Sequence, residues 1–384
     1  MRYAMIMAGG AGTRLWPMSR RDLPKQLIRF IAPPGGEPGD TPISLLDLAA
    51  RRLEGLIDPA HRYLCTSETY RQAIRREIPG FEGEEADGRI LGEPVGRDTV
   101  NAVALGAAVL EKADREAVFA VLTADHIIEP LEVFRDRMDL GFRLVEQDPR
   151  RLVTFSIKPT YPATGFGYVE RGTPIRGIDR AQAGGEPLAF HVERFVEKPE
   201  LPKAQAYVES GAFGWNSGMF VWKASVFLEA LRKYMPDNHE AIRRIQDAWG
   251  TPDQARVLSE IYPALVRTSV DYGVMEPITR AKDRQFSVCT VQMDLRWLDV
   301  GSWPSFGETV PPDEFGNRLA GPSLPTVVKG KNNLIVSSVP GHTVAVLGVD
   351  DLIVVHTPDA TLVMPRSRAE ELKELHGKVD DKLR

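Results

Sequence analysis

Short apolar runs alternate with segments of helical apolar spacing over the first 160 residues. We predict buried strands at the apolar runs, which are residues 3–7, 63–66, 89–91, 117–123 and 152–156. We predict helices where apolar residues recur every three to four positions, which are residues 45–56, 68–77, 99–112 and 131–146. Alternating strands and helices of these lengths predict a three-layer α/β domain with a mainly parallel sheet.

The pattern changes twice further along the chain. After residue 159 it indicates strands and hairpins, a helix at 201–210, helical spacing over 224–265 and a strand at 286–293. Beyond residue 311, short apolar runs recur about every eight to ten residues, which predicts a small β-domain, and residues 366–384 predict a terminal helix. We therefore predict two domains, 1–310 and 311–384.

Composition and charge exclude some classes of protein. The chain has 384 residues, 43% hydrophobic and 26% charged, which is ordinary for a globular protein. No apolar run approaches the ~20 residues that span a bilayer, and no secretory signal is evident, so we expect a cytoplasmic protein without a membrane partner. A net charge of −5 argues against nucleic acid as a partner. Cys65 and Cys289 lie in apolar runs and are interpreted as buried thiols.

A glycine-rich segment follows the first predicted strand: residues 8–26 read AGGAGTRLWPMSRRDLPKQ. Glycines at 9, 10 and 12 allow a tight turn whose backbone N–H groups suit a phosphate chain. Residues 1–30 hold six Lys or Arg and one acid, Asp22. A P-loop would need Gly-Lys-Ser/Thr, and a dinucleotide fingerprint would need glycine at Leu15, so both are excluded.

The pattern G-G-x-G-T-R-L-x-P followed by P-K-Q resembles the sugar-1-phosphate nucleotidylyltransferases. The sequence LWPMSR…PKQ is most similar to that of the mannose-1-phosphate guanylyltransferases, which make GDP-mannose. The resemblance is strong over residues 1–310 and weak beyond them. It implies a Rossmann-like nucleotidyltransferase domain and a left-handed β-helix at the C-terminal end, which in this family often mediates dimers, so we expect a homodimer.

Several candidate site residues follow at the carboxyl ends of predicted strands, where ligands of such sheets bind. Arg14 and Lys25 are the candidate catalytic cations for a triphosphate, because arginine suits bidentate phosphate contacts and lysine supplies a point charge. The candidate nucleotide-binding residues of the loop are Ala8, Gly9, Gly10, Gly12 and Thr13.

Two aspartates are candidate metal ligands. Asp125 ends a strand in TADH, and Asp299 lies in WLDVGSW. Each alone would more often be a helix cap or turn residue, but the family resemblance assigns the pair to Mg²⁺, which takes one or two carboxylates plus phosphate oxygens. The neighbouring His126 is interpreted as structural.

The resemblance also implies a sugar-phosphate site. Lys198 and Glu197, in FVEKP, match the family's lysine for the sugar phosphate and glutamate for the sugar hydroxyls; the alternative is an exposed charged pair before a proline. Gly165, in TGFGY, matches a position where backbone lies against the sugar, or it marks a hairpin turn. Asn216, in GWNSGMF, offers a donor and an acceptor to hydroxyls.

The segment EPVGRDTVNA supplies the candidate nucleoside residues Glu93, Arg97, Asp98 and Thr99. The family's guanylyltransferases usually read E-P-x-x-R-N-T-A-P-A here, so Asp98, Val100 and Asn101 depart from the pattern. Asp98 is able to accept hydrogen bonds from guanine, but it also suits a helix cap. Base selectivity therefore stays open.

The function implied by the resemblance is Mg²⁺-dependent transfer of GMP from GTP to mannose 1-phosphate, giving GDP-mannose and pyrophosphate. Two alternatives stay open: another sugar 1-phosphate or NTP, or a non-catalytic regulatory subunit that binds sugar nucleotide. A binding-only protein has no need for all of the charged residues named above. Longer bacterial relatives carry an added isomerase cupin, so we expect no isomerase activity here.

Overall fold

The structure, a computed structural model, describes residues 1–10, 12–31, 33, 41–178 and 186–384. These residues divide into two units, each assembled from three stretches of chain. Unit 1 comprises Met1–Gly9, Ala50–Thr123 and Ile128–Trp297. Unit 2 comprises Gly10–Ala49, Ala124–Ile127 and Leu298–Arg384.

The strands of the described residues, in chain order, are β1 (Arg2–Ala8), β2 (Arg29–Ile31), β3 (Ile43–Ser44), β4 (Arg62–Ser67), β5 (Ile90–Glu93), β6 (Val118–Thr123), β7 (His126–Glu129), β8 (Arg151–Ile157), β9 (Tyr168–Pro174), β10 (Ala189–Val196), β11 (Phe213–Lys223), β12 (Ser287–Met293), β13 (Arg296–Asp299), β14 (Arg318–Ala320), β15 (Thr326–Val328), β16 (Leu334–Ser337), β17 (Ala345–Leu347), β18 (Leu352–His356) and β19 (Thr361–Pro365).

The α-helices of the same residues are α1 (Leu45–Arg51), α2 (Arg71–Glu77), α3 (Asp98–Ala113), α4 (Leu131–Gln147), α5 (Leu201–Ser210), α6 (Ala224–Tyr234), α7 (Pro236–Ala248), α8 (Gln254–Ile261), α9 (Glu276–Arg280), α10 (Trp303–Gly307) and α11 (Leu372–Lys378). Among them, none combines the length and the apolarity that crossing a bilayer requires.

Unit 1 is organised around a nine-stranded mixed sheet of order β5-β4-β1-β6-β11-β8-β12-β10-β9. Strand β1 pairs in parallel with β4 and β6, so that Ile6 lies beside Leu64 and Leu122. Ala4, Met5 and Ile6 are fully buried, because covered parallel strands have apolar residues on both faces. The predicted α/β fold with a large mixed sheet is confirmed: the pairs from β5 to β6 and the pair β8–β12 are parallel, and the pairs that β11 and β10 form are otherwise antiparallel.

Helix α3 packs on this sheet through its small residues. A Cβ atom at Gly106 would lie 2.3 Å from the sulfur of Met5, so the helix approaches β1 closely only with glycine there. All its residues from Val100 to Leu110 are buried, as the alanine-rich sequence predicts. Cys65 and Cys289 are buried free thiols, as predicted.

Unit 2 contains the C-terminal β-domain. Strands β14, β16 and β18 run parallel, β15 and β17 form a second parallel pair, and β19 closes the larger sheet antiparallel to β18. The buried side chains of Asn317 and Asn333 bond across neighbouring turns of chain, since Asn333 Nδ2 donates to Asn317 Oδ1 at 3.0 Å. Short parallel strands stacked in this way confirm a β-helix.

Some predicted helices differ from the observed ones. The helical spacing over 224–265 belongs to three helices, because Pro236 starts a new helix and the residue before it leaves helical geometry (Met235, φ −142°, ψ 64°). The predicted terminal helix is a 3₁₀ segment, Arg366–Glu371, followed by α11 and a second 3₁₀ turn, Asp381–Leu383.

Candidate functional site

The glycine-rich loop leaves β1 at Ala8 and enters a 3₁₀ helix at Thr13–Leu15. Gly12 begins this helix in the left-handed conformation (φ 65°, ψ 34°). A Cβ atom at Gly12 would lie 2.5 Å from Cβ of Lys25, so the position needs glycine for its torsion and for this contact. Ser19 Oγ donates to the Gly12 carbonyl at 2.8 Å. The loop thus holds the Lys25 stem in place.

The same loop has a second left-handed glycine, Gly10, at φ 90°. Its carbonyl accepts a hydrogen bond from Gln26 Nε2 at 3.3 Å. The P-K-Q segment therefore meets the loop twice, through the stem of Lys25 and the amide of Gln26, which explains why the two motifs occur together.

Replacing Gly12 by alanine is expected to lower the free energy of unfolding by about 2–4 kcal/mol, because positive φ and a steric clash act together. Gly80→Ala is the matched control, since Gly80 also has positive φ (85°) but a Cβ there meets nothing within 4 Å. It should lose about 1–2 kcal/mol from torsion alone. Urea denaturation measures both, and equal losses would contradict the proposed clash with Lys25.

Lys25 forms a short ion pair inside unit 2: its Nζ donates to Asp125 Oδ2 at 2.6 Å. The Lys25 side chain is 11% exposed and that of Asp125 27%. Burial acts to raise the pKa of Asp125, but the Lys25 and His126 charges outweigh it and lower that pKa to about 2. Asp125 is therefore an anion at neutral pH.

Asp299 lies beside Asp125, although the two are far apart in sequence. The backbone joins them, because Val300 N–H donates to the Asp125 carbonyl at 3.0 Å. Asp299 Oδ1 is buried and makes no hydrogen bond within the described structure. Burial, with the nearby Asp125 charge, raises the pKa of Asp299. This carboxylate is placed where a cation would relieve both effects.

Ligand atoms of Asp125, His126 and Asp299 all lie within 4.8 Å of one another. His126, interpreted from the sequence as structural, belongs to the same group, with its Nε2 3.7 Å from Asp125 Oδ1. Two carboxylates, one of which has a buried oxygen that makes no hydrogen bond among the described residues, fit a divalent cation. The arrangement is able to hold a metal ion.

Arg14 reaches the same part of unit 2. Its Nη1 donates to the Glu370 carboxylate at 3.3 and 3.4 Å, and the Arg14 side chain is 35% exposed. A Cβ atom at Gly301 would lie 3.2 Å from Arg14 Nη2 and 3.3 Å from Asp299 Oδ1. Arg14 and Asp299 therefore converge over the backbone of Gly301.

In unit 1, Glu93 ends β5 as a buried carboxylate. Tyr262 Oη donates to its Oε1 at 2.7 Å, and a Cβ atom at Gly9 would lie 3.8 Å from its Oε2. Burial raises the pKa of Glu93. Arg97 donates to the Pro263 carbonyl, while its buried Nε makes no hydrogen bond in the described structure. The Arg97 guanidinium thus has N–H groups that these contacts do not use.

Asp98 and Thr99 open helix α3. Asp98 has positive φ (66°), its Oδ1 accepts from the Thr99 N–H at 2.8 Å, and its side chain is 37% exposed. Thr99 Oγ1 accepts from the Val270 N–H at 2.9 Å. The threonine is committed to the fold, whereas the Asp98 carboxylate is open to solvent.

Glu197 and Lys198 form a close pair, with Lys198 Nζ donating to Glu197 Oε1 at 2.6 Å. The Glu197 side chain is 6% exposed and that of Lys198 54%. A Cβ atom at Gly167 would lie 2.4 Å from Glu197 Oε2, so this glycine admits the carboxylate. At Gly165 a Cβ atom would meet nothing within 4 Å. The sequence pattern pointed to Gly165 as a glycine of the sugar site, whereas Gly167 is the one that lies against the Glu197 carboxylate.

The Asn216 amide is bonded internally at both ends. Its Oδ1 accepts from Thr154 Oγ1 at 2.7 Å and from the Gly218 N–H at 3.3 Å. Its Nδ2 donates to Asp271 Oδ1 at 2.9 Å. Asp271, which sequence reasoning did not select, follows Val270 and so joins this cluster to Thr99.

Asp271 should make stability depend on pH. Burial and the Glu197 charge raise its pKa from 3.8 to about 7, against the opposing Lys198 charge. The folded carboxyl binds a proton that the unfolded one lacks between these values, so its contribution to stability falls as pH rises through this window. Asp271→Asn should therefore gain melting temperature relative to wild type on going from about pH 5 to about pH 8. If the difference in melting temperature between Asp271→Asn and wild type did not change with pH, this expectation would be wrong.

The predicted residues thus form local groups within each unit. Unit 2 brings together Arg14, Lys25, Asp125 and Asp299, and unit 1 brings together Glu197, Lys198 and Asn216. The residues added by the structure are His126, Gly167, Asp271 and Gly301. A sequence signal existed for His126 and Gly301, which adjoin or nearly adjoin selected aspartates.

Comparisons with known proteins agree with this arrangement. Residues 3–314 match the nucleotidyl transferase family, and residues 326–379 match the MannoseP isomerase/GMP-like beta-helix domain. Mannose-1-phosphate guanylyltransferases of Klebsiella pneumoniae and Escherichia coli are each 37% identical over 377 residues, 97% of this chain and 73% of theirs. A crystal structure from Thermus thermophilus, described as a mannose-1-phosphate geranyltransferase, covers 98% of both chains with TM-score 0.79 and 30% identity.

The family match spans most of the sequence, and the relatives match nearly its full length at well over 30% identity. The glycine-rich loop and the paired aspartates lie inside the matched region. This chain belongs to the nucleotidyl transferase family.

Proposed function

We propose that the protein transfers GMP from GTP to mannose 1-phosphate, forming GDP-mannose and pyrophosphate. The relatives that share 37% of its residues bear the name of this activity. The observation that carries the proposal is the group of Lys25, Asp125 and Asp299, with Arg14 beside it, because nucleotidyl transfer needs cations and a metal site for a triphosphate.

The reaction needs no protein base. A sugar phosphate has a second pKa near ~6, so its oxygen is already an ionised nucleophile at neutral pH. That oxygen forms a bond to the α-phosphorus of GTP while the bond from this phosphorus to the bridging oxygen breaks, and the electron pair leaves with pyrophosphate. Arg14 and Lys25 hold and neutralise the triphosphate.

Asp125 and Asp299 would hold the divalent cation. Carboxylate oxygens and phosphate oxygens favour Mg²⁺, and imidazole is a weaker partner for it, so His126 is assigned to orienting Asp125. A bound Mg²⁺ supplies positive charge where the phosphate oxygens gather. We expect Mg²⁺ to restore the activity of metal-free protein more than Zn²⁺ does, and the opposite order would contradict this choice of ion.

The remaining assignments follow the same proposal. In unit 1, the Asp98 carboxylate is exposed and suited to a guanine edge, and Lys198 is exposed and suited to a sugar phosphate. The proposed nucleotide-binding residues are Ala8, Gly9, Gly10, Gly12, Thr13, Glu93, Arg97, Asp98 and Thr99. The proposed sugar-phosphate residues are Gly165, Glu197, Lys198 and Asn216.

The test is pyrophosphate release across GTP, ATP, UTP and dTTP, each with mannose 1-phosphate and glucose 1-phosphate. GTP with mannose 1-phosphate should give the highest kcat/KM. If another pair of nucleotide and sugar phosphate gave a kcat/KM about tenfold or more higher, that pair would be assigned as the substrates instead. Tight binding of sugar nucleotide with no release for any pair would favour a regulatory subunit.

We further propose that the protein is a cytoplasmic homodimer. Apolar side chains are exposed on the C-terminal strands, with Leu347 71% and Val363 60% accessible, which supports a covered surface there. Light scattering with Leu347→Lys tests it, since the variant should shift the mass toward that of a single chain.

A further inference from the structure

The sugar cluster of unit 1 contains a carboxylate for which the mechanism above has no use. Asp271 begins a π-helical turn, Asp271–Met275, and is partly exposed. Its Oδ1 is bonded to the Asn216 amide, and its charge acts on both Glu197 and Lys198. A carboxylate oxygen of this kind has room for further hydrogen bonds, because the group accepts about four.

Asn216 has little left to offer a ligand. Both acceptor positions of its Oδ1 and one of its two N–H groups are used, and the residue is 8% exposed. Its bonds to Thr154 and Asp271 instead fix the direction in which Asp271 points. Asn216 therefore acts mainly by positioning Asp271, and it keeps one N–H group for the sugar.

Glu197 is held in a complementary way. Lys198 bonds its Oε1 and the Gly167 backbone lies against its Oε2, so the carboxylate is oriented before any ligand arrives. Two carboxyl groups, Glu197 and Asp271, lie beside one lysine, so the cluster has more acceptor oxygens than Lys198 alone satisfies. Neutral hydrogen-bond donors satisfy such acceptors without adding charge, and sugar hydroxyls are donors of this kind.

We propose that Asp271 is a specificity-determining residue of the sugar site, and that it accepts a hydrogen bond from a ring hydroxyl next to the hydroxyls bound by Glu197. This inference rests on the proposed function, since it takes a hexose 1-phosphate as the ligand. Hydroxyl donors replace Lys198 at the Glu197 carboxylate, and the lysine is then available to the phosphate.

The experiment uses the full chain with Mg²⁺ and GTP, and compares mannose 1-phosphate with its 2-, 3-, 4- and 6-deoxy analogues. Asp271→Asn should raise KM for mannose 1-phosphate about tenfold or more and leave KM for GTP within about twofold. One of the deoxy analogues lacks the hydroxyl that Asp271 binds. With that analogue, the KM values of wild type and Asp271→Asn should differ by about twofold or less.

Two variants calibrate this result. Asn216→Ala should show the same pattern as Asp271→Asn and spare the same analogue, because it acts through the positioning of Asp271. Asp283→Asn removes another buried acid of unit 1, held by Lys233 at 2.7 Å and Tyr234 at 2.6 Å, and should leave sugar kinetics at the wild-type level. Asp271→Ser provides the same comparison if the asparagine variant does not fold.

The outcomes separate the two proposals. An equal loss for Asp271→Asn with all five sugars would show a structural role and overturn the inference, as would an unchanged KM. A wild-type enzyme that does not use mannose 1-phosphate at all would instead overturn the proposed function. A loss for Asp271→Asn that is absent with one deoxy analogue and present with the other sugars supports both proposals.

Discussion

Asp125→Asn and Asp299→Asn are each expected to lower kcat by a few hundredfold, which corresponds to about 3–4 kcal/mol of transition-state stabilisation. Each change keeps the shape of the side chain and removes one anionic ligand from a group whose atoms lie within 4.8 Å of one another. Pyrophosphate release at saturating GTP and mannose 1-phosphate measures the effect.

The two variants should differ in stability when no metal is present. Asp125 is bonded to Lys25, so Asp125→Asn should lose roughly 1–3 kcal/mol, the usual contribution of a hydrogen bond to a charged group. Asp299 has a buried oxygen without a partner in the described structure, so Asp299→Asn should be as stable as wild type or more so. Urea denaturation in the presence of a chelator separates them.

Asp294→Asn is the matched control, because this aspartate is exposed and lies five residues before Asp299. It should retain wild-type rate and stability. Full activity in either Asp125→Asn or Asp299→Asn would remove that residue from the proposed metal site. Equal loss of stability in both would contradict the difference in their partners.

Lys25→Met is expected to lower kcat about a hundredfold or more, because the lysine neutralises phosphate charge that is redistributed in the transition state. It should also leave Asp125 without the ammonium that is bonded to it. Added Mg²⁺ should therefore raise the melting temperature of Lys25→Met by more than that of wild type. Steady-state kinetics and thermal denaturation with and without Mg²⁺ test both parts.

Lys198→Met gives the contrast with Lys25→Met. Its ammonium is bonded to Glu197 and is 54% exposed, so the variant should raise KM for mannose 1-phosphate more than KM for GTP, and its response to Mg²⁺ should equal that of wild type. If Mg²⁺ raised the melting temperature of Lys25→Met and of wild type by the same amount, the proposal that Lys25 and the metal neutralise the same carboxylates would be wrong.

Motifs with several fixed residues were predictable from sequence. The loop could be recognised because Gly12 needs positive φ and lies against Lys25, so that two distant motifs constrain each other. The apolar sequence of α3 likewise gave its position, since its residues from Val100 to Leu110 are all buried. In both cases the physical constraint acts on several neighbouring residues and so leaves a pattern.

Single polar residues were not predictable in the same way. Asp271 lies near the start of a helical segment, where an aspartate is common as a cap, and its contact with Asn216 depends on chain 55 residues away. The amide of Asn216 was expected to face a ligand, but the fold uses most of it internally. Such pairings depend on the tertiary structure, so they cannot be predicted from the residues that neighbour them in sequence. The domain boundary near residue 310 stays a prediction.

Because unit 2 is assembled from separate stretches, the timing of protein synthesis constrains the glycine-rich loop. The indole of Trp303 donates to the Trp16 carbonyl across 287 residues of chain, and the indole of Trp16 donates to the Leu383 carbonyl. At about 5–20 residues per second, the ribosome needs roughly 15–60 s to supply Trp303 after Trp16 has emerged. During that time the loop of the nascent chain lacks its contacts with Trp303 and Leu383. We therefore expect that a chain arrested before residue 298 binds no nucleotide, even if its large sheet has formed.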